Sequence, residues 1–206
     1  MDRALLKQKA KDSLQGKYGD AIIVTLLTGV LGGITGIFTG IGEEINSIPL
    51  QAIGEFASFI ITCLISFGSL SFYLKLSRDE EVTFNELFSK TNMFIPYLLI
   101  SLLTGIFTVL WSILFIIPGI IAAISYSQVF LITLDNPEIK PMDAIKESKK
   151  LMEGHKMEYF LLDLSFIGWA ILGIFTLGIL YFWLIPYMSV TQMNFYNALL
   201  EEKKIH

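Results

Sequence analysis

Asp163 is the only formal charge between Phe160 and Leu200. A carboxylate that deep in an apolar stretch is costly unless it is paired, so it marks a candidate site for handling protons or ions. It can equally be a carboxylate turned into a bundle interior and bonded to a Tyr, a Ser or Lys156. Asp20, Glu55 and Glu158 also border apolar stretches, but each lies at a predicted helix N-terminus, where the dipole favours an anion. Uncharged polar residues gather in two places. Ser125, Tyr126, Ser127 and Gln128 form one group; Thr191, Gln192, Asn194, Tyr196 and Asn197 form the other. Such residues can line a polar cavity or make hydrogen bonds between helices.

No set of residues reads as a catalytic centre. There is no G-x-S-x-G, no H-E-x-x-H, no phosphate-binding glycine loop and no paired-His spacing. The histidines are His155 and His206, and the single cysteine is Cys63. One cysteine allows neither an intramolecular disulfide nor a cysteine-based metal cluster. The expectation is a non-enzymatic chain with no catalytic residues, no cofactor and no metal.

The elements that must hold these residues are set by hydropathy. Of the 206 residues, 53% are hydrophobic and 17% charged, against about 25% charged in soluble domains. The run 93–134 carries no formal charge over 42 residues. As one helix it would be roughly 63 Å long, twice the hydrocarbon core of a bilayer, so it must fold back. The run 160–200 invites the same reading. Six spans are predicted, at about 20–42, 54–74, 93–116, 119–134, 158–177 and 179–199, paired in three hairpins. Pro118-Gly119 and Thr176-Leu177-Gly178 are the expected reversal points of the second and third. The fold class is all-α, a polytopic membrane bundle in a single domain.

All 15 basic residues fall in four segments, Arg3 to Lys17, Lys75 to Lys90, Lys140 to Lys156 and Lys203 to Lys204. The positive-inside rule places these in the cytoplasm, with both termini. The residues before the first span are basic but contain Asp2 and Asp12. The 21-residue apolar stretch that follows, 21–41, is longer than a signal-peptide core. An uncleaved span in a plasma membrane is expected. The net charge of −4 gives no reason to expect nucleic acid, whereas the lysine-rich rim suits anionic headgroups.

Each predicted hairpin follows a short amphipathic segment. In 1–17, Leu6, Ala10 and Leu14 recur on one helix face. In the second, Thr83 and Glu86 have capping-box spacing. In the third, Pro141 suits a first helical turn and Gly154 a helix stop. Such segments are expected to lie in the interface, apolar side toward the acyl chains. In the first span Gly29, Gly32, Gly33, Gly36 and Gly40 bare one helix face. Close helix packing in lipid uses such faces, against another span or a second copy.

The chain resembles a bacterial integral-membrane family, domain of unknown function 975. The residues that carry the likeness are Ile117-Pro118-Gly119-Ile120, Ser125-Tyr126-Ser127, Asp135-Asn136-Pro137, Ala144-Ile145 with Ser148, Leu151-Met152 and Gly154, Leu164-Ser165-Phe166-Ile167-Gly168-Trp169, Thr176-Leu177-Gly178-Ile179, Pro186-Tyr187 and Phe195-Tyr196. Members of that family often carry a basic residue after the Pro-Gly pair. Here Ala122 and Ala123 stand in that region, which argues against an anion site there. A more distant likeness, to the membrane domain fused to some glycerophosphodiester phosphodiesterases, implies a helical scaffold acting beside an enzyme or a lipid. Together these readings predict a membrane component that binds lipid, a peptide or a membrane-protein partner. The alternative is a small transporter or lipid-translocating protein, which would need a water-filled cavity between the fourth and sixth spans.

Overall fold

The computed structural model describes residues 2–44 and 47–205, and every regular element among them is helical. The α-helices are α1 (Arg3–Leu14), α2 (Tyr18–Glu44), α3 (Ile48–Ser77), α4 (Phe94–Leu114), α5 (Ile116–Tyr126), α6 (Val129–Asp135), α7 (Pro141–Leu151), α8 (Lys156–Leu164), α9 (Ile167–Phe175) and α10 (Tyr181–Ile205). Three helical hairpins result. In α2–α3, Thr25 and Thr28 hydroxyls meet Tyr73 Oη and Ser69 Oγ at 3.1 and 3.2 Å. The second pairs α4 with α5 and its continuation α6. The third folds α8–α9 back on α10, with Tyr181 Oη donating to the Ala170 carbonyl at 2.7 Å. Within it the rings of Phe166 and Tyr187 lie edge to face, 5.5 Å apart.

Among the described residues, four helical stretches are long and apolar enough to cross a bilayer: Gln51–Ser77, Phe84–Ile113, Ile116–Asp135 and Lys156–Phe175. Their length and composition are consistent with a membrane protein. Burial divides the molecule along its length. One end, which we call the base, is a core of Leu14, Phe72, Leu76, Ile100, Val129, Met152 and Phe195. Toward the other end the hairpins turn apolar residues outward, and their tips are the most exposed. Phe115, Ile116, Phe175 and Leu177 are 74, 77, 80 and 94% exposed. Water would not tolerate such a surface and acyl chains would.

Several local expectations are corrected. The second reversal falls at Phe115, in extended geometry, and Pro118 sits in the first turn of α5. A proline there forfeits no hydrogen bond, because that N–H has no partner inside the helix. Gly119 serves close approach instead, since a Cβ there would lie 2.2 Å from Ser112 Oγ. The predicted fourth and fifth spans remain stretches long and apolar enough to cross, each interrupted by two turn residues, at 127–128 and 165–166. The third turn does use Leu177 and Gly178, with φ of 53° and 87°. The capping box at Thr83 does not form, and the following Phe84–Phe88 is a 3-10 turn without a side-chain cap. Glu86 instead accepts from Ser71 Oγ at 2.6 Å and pairs with Lys75 at 3.0 Å. That turn lies tight on α3, where an added Cβ at Gly68 would be 2.0 Å from the Leu87 carbonyl oxygen.

The first amphipathic helix does not turn its apolar face to acyl chains. Leu6, Ala10 and Leu14 are 4, 0 and 0% exposed, packed against α10 and α3. A protein surface was available to cover the stripe, and burying it there also satisfies polar groups. Asn194 Nδ2 donates to the Leu6 carbonyl at 3.4 Å and Arg3 Nη1 to the Leu161 carbonyl at 3.4 Å. At the glycine face, a Cβ at Gly29, Gly33 or Gly40 would meet nothing within 4 Å. Among the described residues no neighbour packs at these three positions; Thr25 and Thr28 are among the residues through which α2 meets α3. The packing of Gly32 and Gly36 lies outside the described residues.

Candidate functional site

The site begins with α7. Pro141 starts this helix and Gly154, at φ 85°, follows its end. Ala144, Ile145, Ser148 and Leu151 are buried on one side, and Ser148 Oγ donates to the Ser125 carbonyl at 2.8 Å, fixing α7 to α5. With that face committed, Lys146, Lys149 and Lys150 must project from the other, because residues three and four apart share a helix side. Below them, α4 and α5 supply apolar surface.

The result is a groove with two unlike walls. One cavity of about 580 Å³ is lined by Trp111, Pro118, Ile121, Tyr126, Lys149 and Lys156, among others. A second of about 490 Å³ shares Trp111, Tyr126, Lys146 and Lys149 with it and continues along Phe107 and Leu110. The Lys149 ammonium stands 5.3 Å from the centre of the Tyr126 ring. Lys146 pairs with Asp143 at 3.3 Å. Among the described residues, Lys149, Lys150 and Lys156 have no carboxylate within 4.0 Å. Unpaired ammoniums beside an apolar trough can hold the anionic head of an amphiphile.

A second polar centre closes the base. Arg78 Nη1 and Nη2 donate to Asp135 Oδ1 and Oδ2, both at 2.7 Å, and Nε donates to Asn197 Oδ1 at 3.1 Å. Tyr196 Oη donates to Asp135 Oδ2 at 3.0 Å, and Asn197 Nδ2 to Ser77 Oγ at 3.0 Å. Three chain segments, the end of α3, the end of α6 and α10, are joined around one guanidinium fork. An open cavity of about 690 Å³ beside it is walled by Lys9, Asp12, Asn194 and Lys204 as well.

The residues predicted from sequence are dispersed. Asp163 accepts from Gln192 Nε2 at 3.0 Å. Ser125 is buried, with its hydroxyl spent on the Ile121 carbonyl. Tyr126 floors the groove. Gln128 is 1% exposed and donates to Ser127 Oγ at 2.7 Å, while its Oε1 has no partner. Asn194 ties α10 to α1. The two polar groups therefore make interhelical and local bonds rather than one shared cavity. Sequence reading missed Arg78 with Asp135 and the lysines of α7. The i, i+3, i+4 spacing of Lys146, Lys149 and Lys150 was the available signal for the latter.

Near α8 and α9, Lys7 Nζ stands 4.1 Å over the Phe166 ring. Burial lowers the pKa of this ammonium, and the charges of Arg3 and Lys11 lower it further. For Asp163, the pairing with Gln192 sets a prediction. Asp163→Leu removes a carboxylate that is costly to desolvate but strands the Gln192 amide, so the net change in stability should stay within about 1 kcal/mol. Asp163→Leu with Gln192→Leu should be at least as stable as the parent in a detergent melt. A double variant that melts well below Asp163→Leu would contradict this pairing.

A family model described as a protein of unknown function, DUF975, matches residues 1–125 and 113–203. No curated protein and no solved structure matches the chain. The more distant likeness to the membrane domain of glycerophosphodiester phosphodiesterases is not among the findings. With nearly its whole length matched, the chain belongs to the DUF975 family of proteins of unknown function.

Proposed function

We propose that the chain is a non-enzymatic component of a bacterial plasma membrane, multi-pass with both termini cytoplasmic, that holds an anionic phospholipid in the groove between α4, α5 and α7. The two-walled groove carries the reading: unpaired Lys149, Lys150 and Lys156 beside Phe107, Leu110 and Trp111. The clustering of every basic residue outside the apolar runs supports the orientation. Lipid is favoured over a soluble peptide because α4 is exposed and apolar beside the groove, at Leu102, Ile106 and Val109. Acyl chains can enter from that side, whereas a peptide would first have to leave water. The transporter alternative has less support, since Gln128 and Thr191, one from each polar group, are buried in packed protein.

The test is lipid retention by the purified full chain, read by native mass spectrometry. Lys149→Gln, Lys150→Gln and Lys156→Gln together should weaken phosphatidylglycerol binding about tenfold or more, since each basic residue contributes about 1 kcal/mol near an anionic surface. Phosphatidylcholine binding and the melting temperature should not move. Undiminished phosphatidylglycerol retention by the triple variant would remove the groove from the account.

A further inference from the structure

The lysines also measure depth. In the second hairpin, Lys149 stands beside Tyr126, at the last residue of α5. From Tyr126 back to Ile116 the helix rises about 15 Å, and the chain then reverses at Phe115. In the third hairpin, Lys7 stands over Phe166, and α9 ends at Phe175. That is again about 14 Å of helix before the turn. A bilayer needs about 30 Å of hydrocarbon-compatible length. Placing either tip at the far surface would carry Lys7 or Lys149 to the middle of the hydrocarbon, together with the neighbouring charges of α1 or α7. Such placement is costly.

The tips give an independent indication. The sequence from Ile113 to Ile121 has no charged residue, nor does that from Phe166 to Met188. Ile113, Phe115, Ile116 and Ile117 are 70–77% exposed, and Leu177 is 94% exposed. A turn emerging into water would leave these side chains hydrated. The first hairpin differs in helix length and in the charges beside its turn, although Ile48 is 77% exposed there too. From Lys75 back to Ile48, α3 runs about 40 Å. Its turn region reads Glu43-Glu44-Ile45-Asn46-Ser47, which suits water.

We propose that only the α2–α3 hairpin crosses the bilayer. The α4–α5 and α8–α9–α10 hairpins are re-entrant: they enter the cytoplasmic leaflet, end near the mid-plane and return. The partner of their tips is the acyl-chain ends, and the cytoplasmic placement of both termini is unchanged. Apolar length alone suggests more crossings; the fixed lysines reduce the number to two. Lys7, Lys11 and Lys149 then sit at the headgroups, with Asp163 and Gln192 just below them. The inference does not depend on whether a lipid occupies the groove.

The test uses the full chain carrying Cys63→Ser, with one cysteine introduced at a time: Ser47→Cys, Ile117→Cys or Leu177→Cys. A membrane-impermeant maleimide is applied to intact cells and to inside-out vesicles. Ser47→Cys should be labelled from outside. Ile117→Cys and Leu177→Cys should be labelled from neither side, yet fully after denaturation, which controls for expression. Phe115→Cys and Ile179→Cys serve as second positions should either tip variant fail to accumulate. Labelling of a tip position from outside at the level of Ser47→Cys overturns the proposal. So does labelling of a tip in inside-out vesicles, or absence of outside labelling at Ser47→Cys.

Discussion

Gly68→Ala is expected to destabilise the protein by about 3 kcal/mol or more, the upper range for overpacking in a close-packed interior. The new methyl would lie 2.0 Å from the Leu87 carbonyl oxygen and 2.5 Å from its carbon. Ordinary contact needs well over an ångström more. The opposing atoms belong to the backbone, so no side-chain rotation relieves the overlap; the Phe84–Phe88 turn must lift from α3. Lifting it would also pull Glu86 from Ser71 and Lys75. Gly105→Ala is the matched control, because a Cβ there meets nothing within 4 Å and alanine is the better helix former by about 1 kcal/mol. Thermal unfolding in detergent should show a large drop for the first and none for the second. Equal melting temperatures would mean that the turn does not lie where it is described.

The second large effect concerns the guanidinium fork. Arg78→Met should cost about 2–3 kcal/mol, since it strands Asp135 and removes charge-assisted bonds. The side chains are about three-tenths exposed, 30 and 29%, and water access keeps the figure below that of a fully buried pair. Arg78→Lys should recover little, because an ammonium cannot meet both carboxylate oxygens and Asn197 in one plane. Arg78→Met with Asp135→Leu should be milder than the sum of the two single changes by about 1 kcal/mol or more. Strict additivity in that cycle would show that the two groups do not act as a pair.

These two sites also show what a sequence exposes and what it conceals. The ends of α2 fall within two residues of the apolar boundaries 20–42, because hydropathy and a charged flank are written locally. The start of α7 at Pro141 and its stop before Gly154 are equally local. Arg78 and Asp135, by contrast, are 57 residues apart. Nothing in either neighbourhood announces the other. Glu86 had a correct local motif in Thr83, and a tertiary partner, Lys75 with Ser71, took the carboxylate instead. The short turns after Tyr126 and Leu164 were hidden because both flanks are apolar, and hydropathy is blind to a local turn within an apolar run. The groove was half legible: Tyr126 stood out as a polar residue in an apolar run, while its lysines lie across a turn on another helix.

The bond from Asn194 to Leu6 joins residues 188 positions apart. During synthesis α1 leaves the ribosome well before its covering helix α10. Until α10 follows, the stripe Leu6, Ala10 and Leu14 lacks its main cover. Its basic residues can dock the segment on an anionic membrane surface in that interval. Arrival of α10 then converts a surface-bound segment into an interior one. The membrane surface thus acts as a temporary holder for the helix that the finished bundle buries.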